Sequence, residues 1–110
     1  MRWLTYQWWR DLLRRGEPVT HRAIFVSDEP EKLRTDRLYL VGEEGNLWFA
    51  VMLCPCGCGE RLHMSLHAEG RPRWHASDHG RGVVSLSPSV WRRVGCRSHF
   101  FLRRGRISWV

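Results

Sequence analysis

Long apolar runs are missing from this chain. No stretch approaches the roughly 18 consecutive apolar residues that a membrane-spanning helix needs, so no transmembrane protein is expected. The opening segment, MRWLTYQWWRDLLRRG, has neither a clean apolar stretch nor a small-residue cleavage site. No signal peptide is read there, and the cytoplasm is the default compartment. Internal repeats, low-complexity tracts and linkers are also absent, and 110 residues suffice for one domain with a modest core. HExxH, GxSxG and a phosphate-cradling glycine loop do not occur, which removes the commonest signatures of metalloproteases, α/β-hydrolases and nucleotide-binding folds. Lysine is nearly lacking: Lys32 is the only one. At 43% hydrophobic and 26% charged, the composition is that of a folded chain and not a disordered one.

The charge that is present is arginine, and it is uneven. Residues 1–60 carry eight Lys or Arg against nine Asp or Glu, whereas residues 61–110 carry ten Arg against two acids. A basic half of this kind suits nucleic acid or an acidic protein partner. A GC-rich genome produces the same arginine excess without any partner.

The pattern predicts a small α+β domain over residues 1–110, mostly antiparallel, with a zinc-stapled loop. Trp8, Trp9, Leu12 and Leu13 fall at helical spacing with arginines between them, and Gly16 is a stop signal. An amphipathic helix over 1–16 is therefore expected ahead of a β-rich, zinc-binding core over 21–110. Strands are expected near 23–26, 37–41, 47–53, 61–67, 72–76, 83–86, 100–103 and 107–110. In 61–67 the alternation is strict, with Leu62, Met64 and Leu66 on one face and Arg61, His63, Ser65 and His67 on the other. Ser87-Pro88 reads as a helix cap followed by proline at the first helical position, opening a short turn over 89–93. Trp48, Trp74, Trp91 and Trp109 are expected in the core, and Trp3, Trp8 and Trp9 toward a partner.

Cys54, Cys56 and Cys58 alternate in CPCGCG, and Cys96 precedes His99 by three positions in GCRSH. Disulfides between such close neighbours are strained and would be reduced in the cytosol. Zinc takes four thiolate or imidazole ligands in a tetrahedron, commonly as two local pairs joined by the fold. The favoured ligand set is Cys56, Cys58, Cys96 and His99, with Cys54 in reserve. A set of the four cysteines alone closes a site equally well and leaves His99 free. Four buried, reduced cysteines packing as small hydrophobes are the plain alternative.

Nucleophilic catalysis is the other chemistry these residues allow. Ser87, Ser89 and Ser98 lie near His75, His79 and His99 in sequence, and a working pair needs a hydrogen bond between them. Ser98, Ser87 and His75 are carried as the catalytic candidates, although Ser87 has a capping role and Ser98 falls inside the expected metal turn. His21, His63, His67 and His79 read as surface residues. Arg97 is placed as a partner-binding residue, suited to a bidentate grip on a carboxylate.

The segments LYLVGEE, FAVMLCPCGCGERLHMSL, SLSPSVW and GCRSHFFLRRGRISW together resemble a family of small bacterial proteins with CxCGCG and CRSHF signatures. The resemblance runs from Leu38 to Trp109. Members are often encoded beside genes for a ubiquitin-like modifier and its activating and conjugating enzymes, which implies an accessory role in such a pathway, in antiviral defence. No agreed catalytic residue comes with the resemblance, and the metal ligands above are read from the residues themselves. Three functions follow. The first is a zinc-binding accessory protein that processes or removes the modifier as a peptidase. The second is a non-catalytic, zinc-stapled binding module for the modifier or its enzymes. The third is a basic nucleic-acid-binding domain.

Overall fold

The computed structural model describes residues 18–110, which form eight strands and no helix. These are β1 (Arg22–Val26), β2 (Arg37–Glu43), β3 (Asn46–Leu53), β4 (Arg61–Ser65), β5 (His75–Asp78), β6 (Val84–Trp91), β7 (His99–Arg103) and β8 (Arg106–Trp109). The α+β class is thus corrected to an all-β fold. The helix expected over 1–16 lies outside the described residues. Strands β1–β4 make one sheet and β5–β8 a second, each in sequence order. Every pairing is antiparallel except β1 with β2.

The sheets share one core. Period-two alternation turns Leu38 and Leu40 (β2), Ala50 and Met52 (β3), and Leu62 and Met64 (β4) to one side of the first sheet. They meet Val84, Leu86 and Val90 (β6) and Phe100 and Leu102 (β7) from the second. Phe100, Leu38, Met52 and Leu102 are all but fully buried, each worth about 1.5–3 kcal/mol of transfer free energy.

The parallel pair has a consequence for the first sheet's other face. Adjacent parallel strands cannot be joined by a tight hairpin, so residues 27–36 must cross a face of the sheet. They cross the outer one. Leu33 packs there on the cluster of Tyr39, Val41 and Val51, and the Arg34 amide donates to the Tyr39 hydroxyl at 3.0 Å. Glu29 receives Arg61 at 2.5 Å and pairs with His63 at 2.8 Å. Among the described residues, the second sheet is joined only by connections at its ends, and none of them covers its outer face.

Glycine is obligatory at one bulge. The β2–β3 register shifts between Val41 and Gly42, and a Cβ on Gly42 would stand 2.5 Å from the Asn46 carbonyl oxygen. At the other end of the fold, the Gly105 carbonyl accepts the amides of Thr20 and His21, both at 2.9 Å. His21 is buried there and is not the surface residue its sequence context suggests.

Two further corrections concern β6. The helical turn expected after Ser87-Pro88 does not form; β6 continues as strand to Trp91. Its pairing with β7 shifts register between Leu86 and Val90, and Pro88, which has no amide hydrogen to give a ladder, sits in that irregularity. The shift keeps Leu86 and Val90 in the core while Ser85, Ser87, Ser89 and Trp91 occupy the outer side. Trp91 and Trp109 are accordingly 57% and 54% exposed and Trp48 36%, contrary to their expected burial, whereas Trp74 packs against the core.

Candidate functional site

One constellation lies where the β3–β4 loop approaches the β6–β7 loop, and a second on the outer side of the second sheet. The first is made of sulfur. Cys54 directly follows β3 and is buried, and its carbonyl accepts the Gly57 amide at 3.1 Å while its amide donates to the Glu60 carbonyl at 2.8 Å. That curl, with Gly57 at φ +89° and Gly59 at φ +82°, folds Cys56 and Cys58 back toward Cys54. Cys96 arrives from the β6–β7 loop, which is closed by the Arg92 amide donating to Ser98 at 2.8 Å. The four Sγ atoms lie within 4.8 Å of one another. A tetrahedral zinc with Zn–S bonds of about 2.3 Å has sulfurs about 3.8 Å apart. The Cys54–Cys56 and Cys54–Cys96 separations, 3.3 and 3.6 Å, are close to that edge.

The acidities of these thiols diverge. Burial pushes Cys54 up to about 11, whereas hydrogen bonds from the Ser98 hydroxyl and amide bring Cys96 down to about 5. Hydrogen bonding, chiefly with Ser98 and Cys54, also lowers Cys56. The Arg92 guanidinium donates to Cys96 at 3.2 Å and to Cys58 at 3.5 Å, a cation placed where thiolate charge gathers. The four soft donors are close enough to one another to bind a metal ion.

The second constellation lies on the open face of the second sheet. Ser89 Oγ is 2.9 Å from His99 Nε2, across the β6–β7 pair. The His99 ring stacks on Trp91 with centroids 5.0 Å apart and planes 15° from parallel, which fixes its orientation. No carboxylate pairs with His99 among the described residues. The arrangement is a dyad with an aromatic orienter.

The residues singled out from the sequence are distributed as follows. Cys54, Cys56, Cys58 and Cys96 converge, and His99 stands outside the sulfur cluster, bonded to Ser89. Ser98 is buried, with its hydroxyl 3.5 Å from Cys54 and 3.1 Å from Cys96, and among the described residues no hydrogen bond joins that hydroxyl to a histidine. His75 faces Ser87 in the β5–β6 ladder, but their side chains share no hydrogen bond. His79 Nε2 lies 2.8 Å from Ser85 Oγ, an oxygen that also accepts the Arg104 amide at 2.8 Å and so braces the β7–β8 turn. Arg97 lines a cleft with Trp91, Arg92 and Arg93. Sequence reasoning passed over the partnership of Ser89 with His99. Reading β6 as an alternating strand would have found it, because Val84, Leu86 and Val90 inward leave Ser89 and Trp91 outward.

One family model matches residues 25–110, that of BubE, the bacterial ubiquitination-like system serine protease. The chain belongs to this family. The BubE match embraces both constellations and all eight strands but for the first three residues of β1, and it associates the chain with ubiquitin-like conjugation systems. No curated protein and no solved structure matches it.

Proposed function

We propose that the protein is a serine peptidase acting on the ubiquitin-like modifier of its conjugation system, with Ser89 as nucleophile and His99 as general base. The 2.9 Å Ser89–His99 contact on an open sheet face carries this reading, and membership of a serine-protease family supports it. With its proton on Nδ1, the imidazole presents a free Nε2 to the Ser89 hydroxyl. As Oγ attacks the scissile carbonyl, Nε2 takes the hydroxyl proton and then passes it to the departing amine. Water, deprotonated by the same nitrogen, hydrolyses the acyl ester and restores Ser89. Trp91 does the orienting that a buried carboxylate does in a triad.

The four cysteines hold one structural metal ion, zinc being the ion their donor set suits best. With four protein ligands the site is closed, and the ion takes no part in the reaction. Its place is mechanical: Cys54, Cys56 and Cys58 extend from the first sheet, Cys96 from the second, so the ion ties the loop leading into β7, and hence His99, to the opposite sheet.

Mass spectrometry of the modifier precursor after incubation with the protein tests the reading. Wild type should shorten the precursor; Ser89→Ala and His99→Gln should slow this by at least about 10³-fold. Undiminished cleavage by Ser89→Ala would end the assignment. A stable complex without any cleavage would make the protein a binding module.

A further inference from the structure

Among the described residues, the arginine-rich cleft beside the dyad has no counter-charge of its own. Arg93, Arg97 and Trp91 line an opening of about 380 Å³ together with Arg92. Arg92 is already turned to the Cys58 and Cys96 sulfurs. Among the described residues neither Arg93 nor Arg97 has an acidic partner; the ion pairs there engage Arg34, Arg37, Arg61 and His63. The Arg93 guanidinium carbon sits 4.7 Å from the Trp91 ring centroid, over the ring. Such a cation–π contact restrains a flexible side chain and leaves its N–H edge to donate. Trp91 is also the ring that stacks on His99 at 5.0 Å. Because both contacts share that ring, the guanidinium and the imidazole are less than about 10 Å apart, a distance that three residues of extended peptide span.

We propose that this cleft binds a carboxylate of the substrate, within three residues of the bond that is cut, with Arg93 and Arg97 as its ligands. The inference rests on the dyad reading for the position of the bond, and it names the substrate class: a chain acidic close to its cleavage site. Two planar guanidinium groups flanking an aromatic wall suit a carboxylate, which each can grip through two N–H groups. The carboxylate has two possible sources, an Asp or Glu side chain or the C-terminus of a short tail.

The test uses internally quenched peptides built on the modifier precursor's tail. One set carries Glu, in turn, at each of the three positions on either side of the cleavage site, and its partner set carries Gln; each is made with a free and an amidated C-terminus. Wild-type protein should favour the carboxylate by 10- to 100-fold in kcat/KM. A preference that follows Glu over Gln identifies a side chain, and one that follows the free over the amidated end identifies the C-terminus. In Arg93→Gln/Arg97→Gln protein the preference should fall to unity. Equal rates for acid and amide peptides in wild type, or a preference that survives in the double variant, would overturn the proposal while the peptidase reading stands. Fluorescence anisotropy with Ser89→Ala protein separates the two further. Acid-dependent binding that needs Arg93 and Arg97, in the absence of any cleavage by wild type, strikes the peptidase reading and keeps the carboxylate site. A single-stranded oligo-dT that displaces the acidic peptide at lower concentration than the peptide itself would instead assign the cleft to nucleic acid and overturn the proposal.

Discussion

The two sheets contribute comparably to one core but differ in what covers their outer faces. On the first, the crossover that parallel pairing imposes lies across the surface. Leu33 seals an apolar cluster there, and Glu29 pairs with Arg61 and His63. On the second, none of the described residues crosses, and the exposed side holds Ser89, His99, Trp91 and Phe101, with Arg93 and Arg97 nearby and without acidic partners among the described residues. One parallel pair thus makes one face structural, while a plain meander leaves the other free for chemistry. The sulfur cluster sits at the seam between them.

The contrast between core and open face can be tested on neighbouring residues of β7. Phe100 is fully buried, whereas Phe101 lies on the open side under the Arg103 guanidinium, 4.1 Å from its ring. Phe100→Ala should cost about 3–5 kcal/mol in urea unfolding, the largest loss anticipated here. Phe101→Ala should cost under about 1 kcal/mol. Equal costs would mean that the open face is packed after all.

The seam comes next. Cys54→Ala removes the buried ligand, and the protein should lose its metal and about 3 kcal/mol of stability, as expected when an ion that binds only the folded state is lost. Elemental analysis and thermal unfolding check both parts. Wild type free of metal, with all four thiols open to alkylation while folded, would contradict the staple.

Most strands were legible in the sequence because alternation is a local property: Leu62, Met64 and their polar neighbours declare the core side of β4 without reference to anything distant. The sulfur cluster was legible in part, since CPCGCG shows its own donors while the choice between Cys54 and His99 depends on how two loops meet. The dyad was not legible. Ser87-Pro88 mimics a helix start, and that local signal conceals the strand, whose irregular pairing with β7 absorbs the proline, sets Trp91 opposite His99 and leaves Ser89 within hydrogen-bond reach of the same imidazole. The crossover was equally hidden, because nothing in residues 27–36 states that β1 and β2 run parallel.

A smaller effect concerns His21, pinned beneath the last hairpin. Burial holds its pKa below the ordinary 6.5 despite the opposing pull of Asp36 and the Thr35 backbone. The folded protein therefore binds this proton less readily than the unfolded chain does. Stability should be intact above pH 6.5 and fall as the pH drops through the folded value, by no more than about 1.4 kcal/mol per pH unit. His21→Gln should flatten that slope in equilibrium unfolding between pH 7 and 5. An unchanged slope would show that His21 ionises in place.

The weakest expected effect returns to the charges on the two outer faces. Burial of Glu29 alone would raise its pKa, but hydrogen bonds and charge from His63 and Arg61 outweigh this and hold it below the ordinary 4.5. The stabilisation it gives should be present above pH 4.5 and disappear as the pH falls through the lowered value. Because the pair is partly solvated and screened, Glu29→Gln should cost only about 0.5 kcal/mol at pH 7 and less at pH 3. Arg93→Gln, just beyond β6 of the second sheet, removes a cation with no acidic partner among the described residues, so its stability should stay within about 0.5 kcal/mol of wild type at both pH values. The two variants thus predict different pH behaviour for one unit of charge: a cost that shrinks with acid where the chain pairs its own charges, and no pH-dependent cost where the arginine is left for a partner. A pH-dependent loss in Arg93→Gln would reveal a carboxylate from this chain already occupying the second face, and the distinction between the sheets would fail.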